Sequence, residues 1–118
     1  MKLKKIIEIL DAVVLDETRD IDMEINWACA TDLMSEVLYY SQKDSILLTG
    51  LAKSQAVRTA EIADISVVAF TRGKEPDAET IELAKKKNIV ILITPMSLYL
   101  ASGKLYAEGL ECSPVTKD

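Results

Sequence analysis

The chain has 118 residues, of which 49% are apolar and 28% are charged, a size and composition typical of one globular domain. The apolar fraction is too high for intrinsic disorder, and 4 glycines with 3 prolines exclude collagen-like and linker-like chains. The formal net charge of -5 argues against sequence-independent nucleic-acid binding, which needs a basic surface along the phosphates. We therefore expect one domain and no nucleic-acid partner.

Residues for the common catalytic and metal sites are scarce. The chain has no histidine, which removes both the usual imidazole base and the commonest metal ligand. Its two cysteines, Cys29 and Cys112, stand far apart and cannot complete a four-ligand zinc site. The basic start is interrupted by Glu8 and Asp11, unlike a signal peptide, and no stretch approaches the ~20 apolar residues that cross a bilayer. These features predict a cytoplasmic domain with no membrane contact, cofactor or metal.

The N-terminal part predicts one helix, one or two strands and a second helix. Leucine and isoleucine recur at helical spacing over 3–10, and a short β-prone run at 13–15 leads into a charged turn at 16–20. Over 21–25, apolar and polar residues alternate, which predicts a strand with one buried face. Asp32, with the threonine before it, then caps a helix.

After residue 45, strands and helices alternate regularly. Three continuous apolar runs are typical of strands buried on both faces: 46–48, 65–70 and 89–93. A helical pattern follows each run, and Thr94 is expected to cap the last helix. The residues expected on the inner face of that helix are Met96, Tyr99, Leu100, Tyr106 and Leu110.

The alternation predicts a single α/β domain. Strand, helix, strand at this spacing gives right-handed βαβ crossovers and a mainly parallel sheet flanked by helices. The domain is expected to span 1–111 and to be followed by a flexible C-terminal tail at 112–118, where no pattern remains.

Several segments resemble the DRTGG domain family. The segments that show this resemblance are KEPDAETIELAK at 74–85, IVILITP at 89–95, DLMS at 32–35 and the strand that ends at Thr49. That family is an accessory domain of regulated pyrophosphatases with CBS modules, and it is similar to the N-terminal domain of HPr kinase/phosphorylase. The resemblance covers nearly the whole chain and implies an α/β fold, a non-catalytic regulatory role and a homodimer.

The name-giving motif of that family is degenerate here. Where Asp-Arg-x-x-Thr-Gly-Gly is expected, the chain has DMEINWA at 22–28, so Trp27 and Ala28 replace the glycine pair. Glycine lets a backbone approach a ligand or a second chain closely, and a tryptophan closes that approach. Trp27 is instead a candidate anchor for another subunit, as are Tyr39 and Tyr40, the other prominent aromatic residues.

Small, hydroxyl-bearing and basic residues follow the three predicted parallel strands. Thr49 and Lys53 follow the first strand, Arg72 and Lys74 the second, and Thr94 the third. Because open α/β sheets bind ligands at the carboxyl ends of their strands, these residues are the candidate ligand-binding set, with a phosphate or carboxylate as the ligand. The alternative is that all of them lie in ordinary solvated loops, since the phosphate-loop spacing is incomplete before Lys53.

The carboxylates Asp22, Glu24 and Asp32 are the remaining catalytic candidates. A solvent-exposed strand face explains the first two, and a helix cap explains the third. The leading hypothesis is therefore a non-catalytic regulatory domain that self-associates and engages a partner protein or small ligand. One alternative is a sensor of a nucleotide or other phosphorylated metabolite, and another is a magnesium-dependent enzyme.

Overall fold

The structure is a computed structural model and describes residues 1–16 and 20–114. This part of the chain forms five helices and six strands, which alternate from β2 onward. The helices are α1 (Leu3–Leu10), α2 (Met34–Tyr40), α3 (Ser54–Ile62), α4 (Ala78–Lys86) and α5 (Leu98–Ala107). The strands are β1 (Val13–Val14), β2 (Trp27–Ala30), β3 (Ser45–Thr49), β4 (Val67–Phe70), β5 (Val90–Ile93) and β6 (Glu111–Cys112). Within those ranges, no helix is long and apolar enough to cross a bilayer.

The strands form one mixed sheet in the order β1-β5-β4-β3-β2-β6. All neighbours run parallel except β1, which pairs antiparallel with β5 at one edge. Each step from β2 through β3 and β4 to β5 crosses over by one helix, as βαβ units do. The predicted α/β domain with a mainly parallel sheet is confirmed.

Two apolar layers cover the two faces of the sheet. Because side chains alternate along a strand, Leu47 faces the layer built from α2, α3 and α4, whereas Leu48 faces the layer built from α1 and α5. Both leucines are fully buried, as is all of β3. The continuous apolar runs of the sequence are therefore strands that are covered on both faces, as predicted.

The strand predicted over 21–25 does not form. The segment instead lies beside the start of α1, where the carbonyls of Ile21 and Met23 accept hydrogen bonds from the amides of Lys4 and Leu3 at 2.8 and 2.9 Å. The first amides of a helix have no partner within the helix, so this segment satisfies them. The strand begins later, at Trp27, and the charged turn expected at 16–20 falls mostly on 17–19, outside the described residues.

The last helix begins later than predicted and shows a different face to the core. Ser97 caps α5, since its hydroxyl accepts a hydrogen bond from the Leu100 amide at 3.1 Å. Its buried residues are Ala101 and Leu105, followed by Leu110, whereas three of the residues expected to face inward are exposed: Tyr99, Leu100 and Tyr106. The predicted helix start was three residues too early, because the Thr94 hydroxyl donates to the Leu10 carbonyl and does not cap the helix.

The C-terminal boundary also differs from the prediction. Cys112, expected to open a flexible tail, lies in β6 and pairs with Ala28 of β2. A two-residue edge strand is too short to leave a periodic signal in the sequence, so its pairing could not be foreseen. The last residues of the expected tail, 115–118, lie outside the described part of the chain.

Candidate functional site

A cleft of about 530 Å³ opens where the parallel strands β2, β3 and β4 end. The end of β2 and the loops after β3 and β4 form its floor and one wall, and the start of α5 forms the other wall. The polar residues that line it are Asp32, Gly50, Thr71, Arg72, Lys74, Ser97 and Ser102. Open parallel sheets bind ligands at this edge, which makes the cleft the candidate site.

Asp32 joins two of the loops that build the cleft. Its Oδ1 atom accepts hydrogen bonds from the Thr49 hydroxyl at 2.9 Å and from the Gly50 amide at 2.7 Å. The prediction that Asp32 caps α2 was therefore wrong. Thr31 does not cap α2 either: its hydroxyl accepts a hydrogen bond from the Leu33 amide at 3.0 Å, but Leu33 itself holds the cap position, where no side-chain cap bond forms.

Gly50 allows Asp32 and the β4 loop to approach each other closely. A Cβ atom on Gly50 would lie 3.4 Å from Asp32 Oδ2 and 3.4 Å from Thr71 Oγ1, at the short end of ordinary van der Waals contact. The second carboxylate oxygen and the threonine hydroxyl thus both lie beside the position that a side chain at residue 50 would take. A larger residue at position 50 would push these groups apart and change the floor of the cleft.

The loop after β4 carries the two cations of the cleft. Arg72 has φ 58, in the left-handed region, and its amide donates to the Met96 carbonyl at 2.8 Å. The next amide, that of Gly73, donates to the Thr94 carbonyl at 2.8 Å, and the Lys74 ammonium donates to the Gly50 carbonyl at 3.2 Å. Backbone contacts therefore attach this loop to the entrance of α5, and the Lys74 side chain attaches it to Gly50.

Several polar groups in the cleft have unused hydrogen-bonding capacity. Across residues 1–16 and 20–114, the Arg72 guanidinium has no ion-pair or hydrogen-bond partner, and neither has the Thr71 hydroxyl. The Ser97 hydroxyl only accepts a bond, so its proton remains available. With two cations against the single carboxylate of Asp32, the cleft offers donors and a positive charge to an incoming anion.

The structure brings only part of the predicted ligand-binding set into this cleft. Arg72 and Lys74 line it, and Thr49 is buried beneath it, bonded to Asp32. Thr94 is buried away from it, with its hydroxyl donating to the Leu10 carbonyl at 2.6 Å. Lys53 precedes α3 outside the lining residues, near enough to Asp77 for its charge to contribute to a lowered pKa of that carboxyl.

The candidate interface residues lie away from the cleft. Trp27 is partly buried at the start of β2, between β3 and β6, and therefore does not lie in a glycine-like turn. Tyr39 and Tyr40 are exposed at the end of α2, where their rings pack edge to face with centroids 4.7 Å apart.

The carboxylates considered for catalysis are not brought together. Glu24 lies beside α1, where it accepts a hydrogen bond from the chain's first amino group at 2.6 Å, and Asp32 lies at the carboxyl-terminal edge of the sheet. In the described ranges, no group of three histidine, cysteine, aspartate or glutamate residues is placed to hold a metal ion. Cys29 is a free thiol, and burial raises its pKa.

An apolar groove of about 650 Å³ adjoins the cleft. Its lining includes Leu48, Leu110 and small residues of β2 on one side, and Tyr99, Leu100 and Tyr106 of α5 on the other. Ala30, Tyr99 and Ser102 line both the groove and the cleft, so the two adjoin at these residues. Sequence reasoning missed this groove because it assigned the α5 aromatic residues to the core.

Gly50 and Thr71 were missed as site residues, and Asp32 was considered only as a helix cap or a catalytic carboxylate, although each has a weak signal in the sequence. Gly50 and Thr71 are the first residues after buried strands, the position from which a parallel sheet presents side chains to ligands. Asp32 had an adequate local explanation as a cap, which concealed its contact with a loop 18 residues away.

The fold is similar to that of a solved regulatory region. The structure of the CBS and DRTGG domains of the regulatory region of Clostridium perfringens pyrophosphatase, complexed with the activator diadenosine tetraphosphate, superimposes with a TM-score of 0.67 and 21% sequence identity. The match covers 88% of this chain but 45% of that one, so the present chain corresponds to less than half of its length. No protein-family model and no curated protein matches the chain. The resemblance to the DRTGG family is thus supported at the level of the fold.

Proposed function

We propose that the chain is a non-catalytic regulatory domain that binds a phosphorylated small molecule in the cleft at the carboxyl-terminal edge of its sheet. The observation that carries this proposal is the Arg72 guanidinium, which has no partner among the described residues and lines a cleft of about 530 Å³ together with Lys74 and Thr71. Arginine and lysine are the side chains that bind phosphate groups, the first by two parallel hydrogen bonds.

The backbone contacts of the site support binding. Amides of the β4 loop donate to the carbonyls of Thr94 and Met96, so the loop is fixed before a ligand arrives. A cation that is already positioned loses less conformational freedom when it binds an anion. The structural neighbour is a regulatory region crystallised with a nucleotide activator, which agrees with a regulatory rather than a catalytic role.

Thermal unfolding with inorganic pyrophosphate, ribose 5-phosphate and adenosine nucleotides tests the proposal. A ligand at about 100 times its Kd stabilises the folded state by about 2.7 kcal/mol, which gives a measurable rise in melting temperature. We expect such a rise for at least one of these anions. The Arg72→Ala/Lys74→Ala double variant should abolish it while leaving the melting temperature without ligand nearly unchanged, because both side chains are exposed.

A matched control removes the same charge elsewhere. Lys85→Ala/Lys86→Ala takes two exposed cations from the last turn of α4, outside the cleft, and should leave the ligand-induced rise intact. A panel in which no anion raises the melting temperature would contradict the proposal. So would an equal rise in the cleft variant and the wild-type chain.

A second function, self-association, is favoured by a separate observation on α2. Leu33, Leu38, Tyr39 and Tyr40 are all at least 41% exposed at this one helix, on the face of the sheet opposite α5. Exposed apolar and aromatic residues around one short helix are typical of contact surfaces between proteins. We propose that α2 contributes to a homodimer interface.

A further inference from the structure

The cleft and the apolar groove together suggest which class of phosphorylated molecule the site takes. We infer that the ligand is a nucleoside phosphate, with its phosphate at Arg72 and Lys74, its sugar at Asp32 and its base in the groove against Tyr99. This inference rests on the proposed function, because it assumes that an anion binds in the cleft. It adds the rest of the ligand and the residues that recognise it.

The groove indicates that the phosphate carries an apolar, flat group. Tyr99 lies on the boundary between the two spaces and is 90% exposed, so its ring is free to stack. A bare phosphate or a small sugar phosphate would leave the groove of about 650 Å³ empty. A planar base fits because stacking on an aromatic side chain requires a flat partner, and it contributes about 1–3 kcal/mol per base.

Asp32 is the residue that would bind the sugar, the part of the ligand between phosphate and base. Its Oδ1 atom is occupied by Thr49 and Gly50, whereas Oδ2 has no hydrogen bond to any residue of the described ranges. A carboxylate oxygen in a phosphate site would repel a second phosphate, but it accepts hydrogen bonds from sugar hydroxyls. Two cations, a carboxylate acceptor and an aromatic ring therefore line a cleft and an adjoining groove, a combination that matches phosphate, sugar and base.

Calorimetric titration of the full chain with AMP and with ribose 5-phosphate tests the assignment, because AMP carries a base where ribose 5-phosphate carries its anomeric hydroxyl. AMP should bind about tenfold more tightly, as expected from one stacked base. Tyr99→Ala removes a side chain that makes no core contact. The affinity of this variant for AMP should fall to its affinity for ribose 5-phosphate. Ile62→Ala removes another exposed apolar side chain, on α3 across the sheet, and should change neither affinity.

A second variant and a second probe separate the parts of the inference. Ala107→Trp fills the groove from the exposed surface of α5. In this variant too, AMP should bind no more tightly than ribose 5-phosphate. 2′,3′-Dideoxy-AMP lacks the hydroxyls and should bind about tenfold more weakly than AMP, because bonds to a charged acceptor are lost. Equal binding of these two nucleotides would overturn the placement of the sugar at Asp32.

The outcomes distinguish this inference from the proposed function. If ribose 5-phosphate binds in a manner that depends on Arg72 and Lys74, and AMP binds no better, the nucleoside assignment fails and the anion site stands. If neither probe nor pyrophosphate binds, the proposed function fails, and the inference fails with it.

Discussion

Asp77 shows how a single side chain can set a helix start. Its Oδ1 atom accepts hydrogen bonds from the Thr80 amide at 2.9 Å and from the Thr80 hydroxyl at 2.7 Å, which makes it the N-cap of α4. The hydroxyl bond, then the amide bond, lower the pKa of this carboxyl. Because the folded state favours the ionised form, Asp77 stabilises the fold above the pKa of an unfolded aspartate, about 3.9. That stability is lost as the pH falls through the lower folded value.

We predict that Asp77→Ala lowers the melting temperature at pH 7 by a few degrees, because the amide of Thr80 loses its acceptor. The difference from the wild-type chain should shrink as the pH falls below about 4, since protonation weakens the same bonds in the wild type. Thermal unfolding followed by circular dichroism at several pH values measures both effects. Asp77→Asn keeps an acceptor oxygen and should retain most of the stability at pH 7. A difference that is constant with pH would contradict the assignment.

At the scale of elements, the edge strand β6 is the least expected feature. It pairs with β2 through Glu111 and Cys112, opposite Trp27 and Ala28. Cys112 is exposed there, whereas Cys29, one residue further along β2, is partly buried, and its burial raises the pKa of its thiol. The thiolate is the reactive form, so burial and a raised pKa both slow the reaction of the Cys29 thiol with alkylating reagents.

We predict that iodoacetamide modifies Cys112 before Cys29 in the folded chain at neutral pH. Peptide mass spectrometry over a time course gives the two rates, and Cys112→Ser isolates that of Cys29. In denaturant, the two rates should become similar, because burial no longer distinguishes the thiols. Equal rates in the folded chain would show that the edge of β2 is open, contrary to the structure.

At the scale of the whole molecule, the two faces of the sheet carry different surfaces. The α5 side presents the cleft and the apolar groove, and the α2 side presents Leu33, Leu38 and the tyrosine pair. The proposed ligand binding and the proposed self-association would therefore use separate surfaces, and we expect that one can be removed without loss of the other.

We predict a dimer in sedimentation velocity at micromolar concentration, since interfaces of standard size bind at least this tightly. Leu38→Ser/Tyr39→Ser should shift the chain towards monomer, because it replaces exposed apolar area that the interface would bury. Tyr99→Ala, on the other side of the sheet, should remain dimeric. A wild-type chain that is monomeric at about 100 µM would exclude a stable interface.

The sequence by itself determined the elements whose signals are local. The buried strands at 46–48, 65–70 and 89–93 were predicted because both of their faces are covered, which leaves a continuous apolar run. Their alternation with helices then implied parallel crossovers, since a parallel pair needs such a connection. Arg72 and Lys74 were predicted as site residues for the same reason, because the ends of parallel strands meet at one edge.

Only the tertiary structure decided the features that depend on distant partners. The segment 21–25 has the alternation of a strand, but the unpaired amides of α1 take its carbonyls. Asp32 has the position of a cap, but the loop after β3 offers it a hydroxyl and an amide. The groove exists because α5 buries Ala101 and Leu105 rather than its tyrosines. In each case the local pattern allowed two outcomes, and a partner far along the chain selected one because buried polar groups must be bonded and a helix can bury only one face.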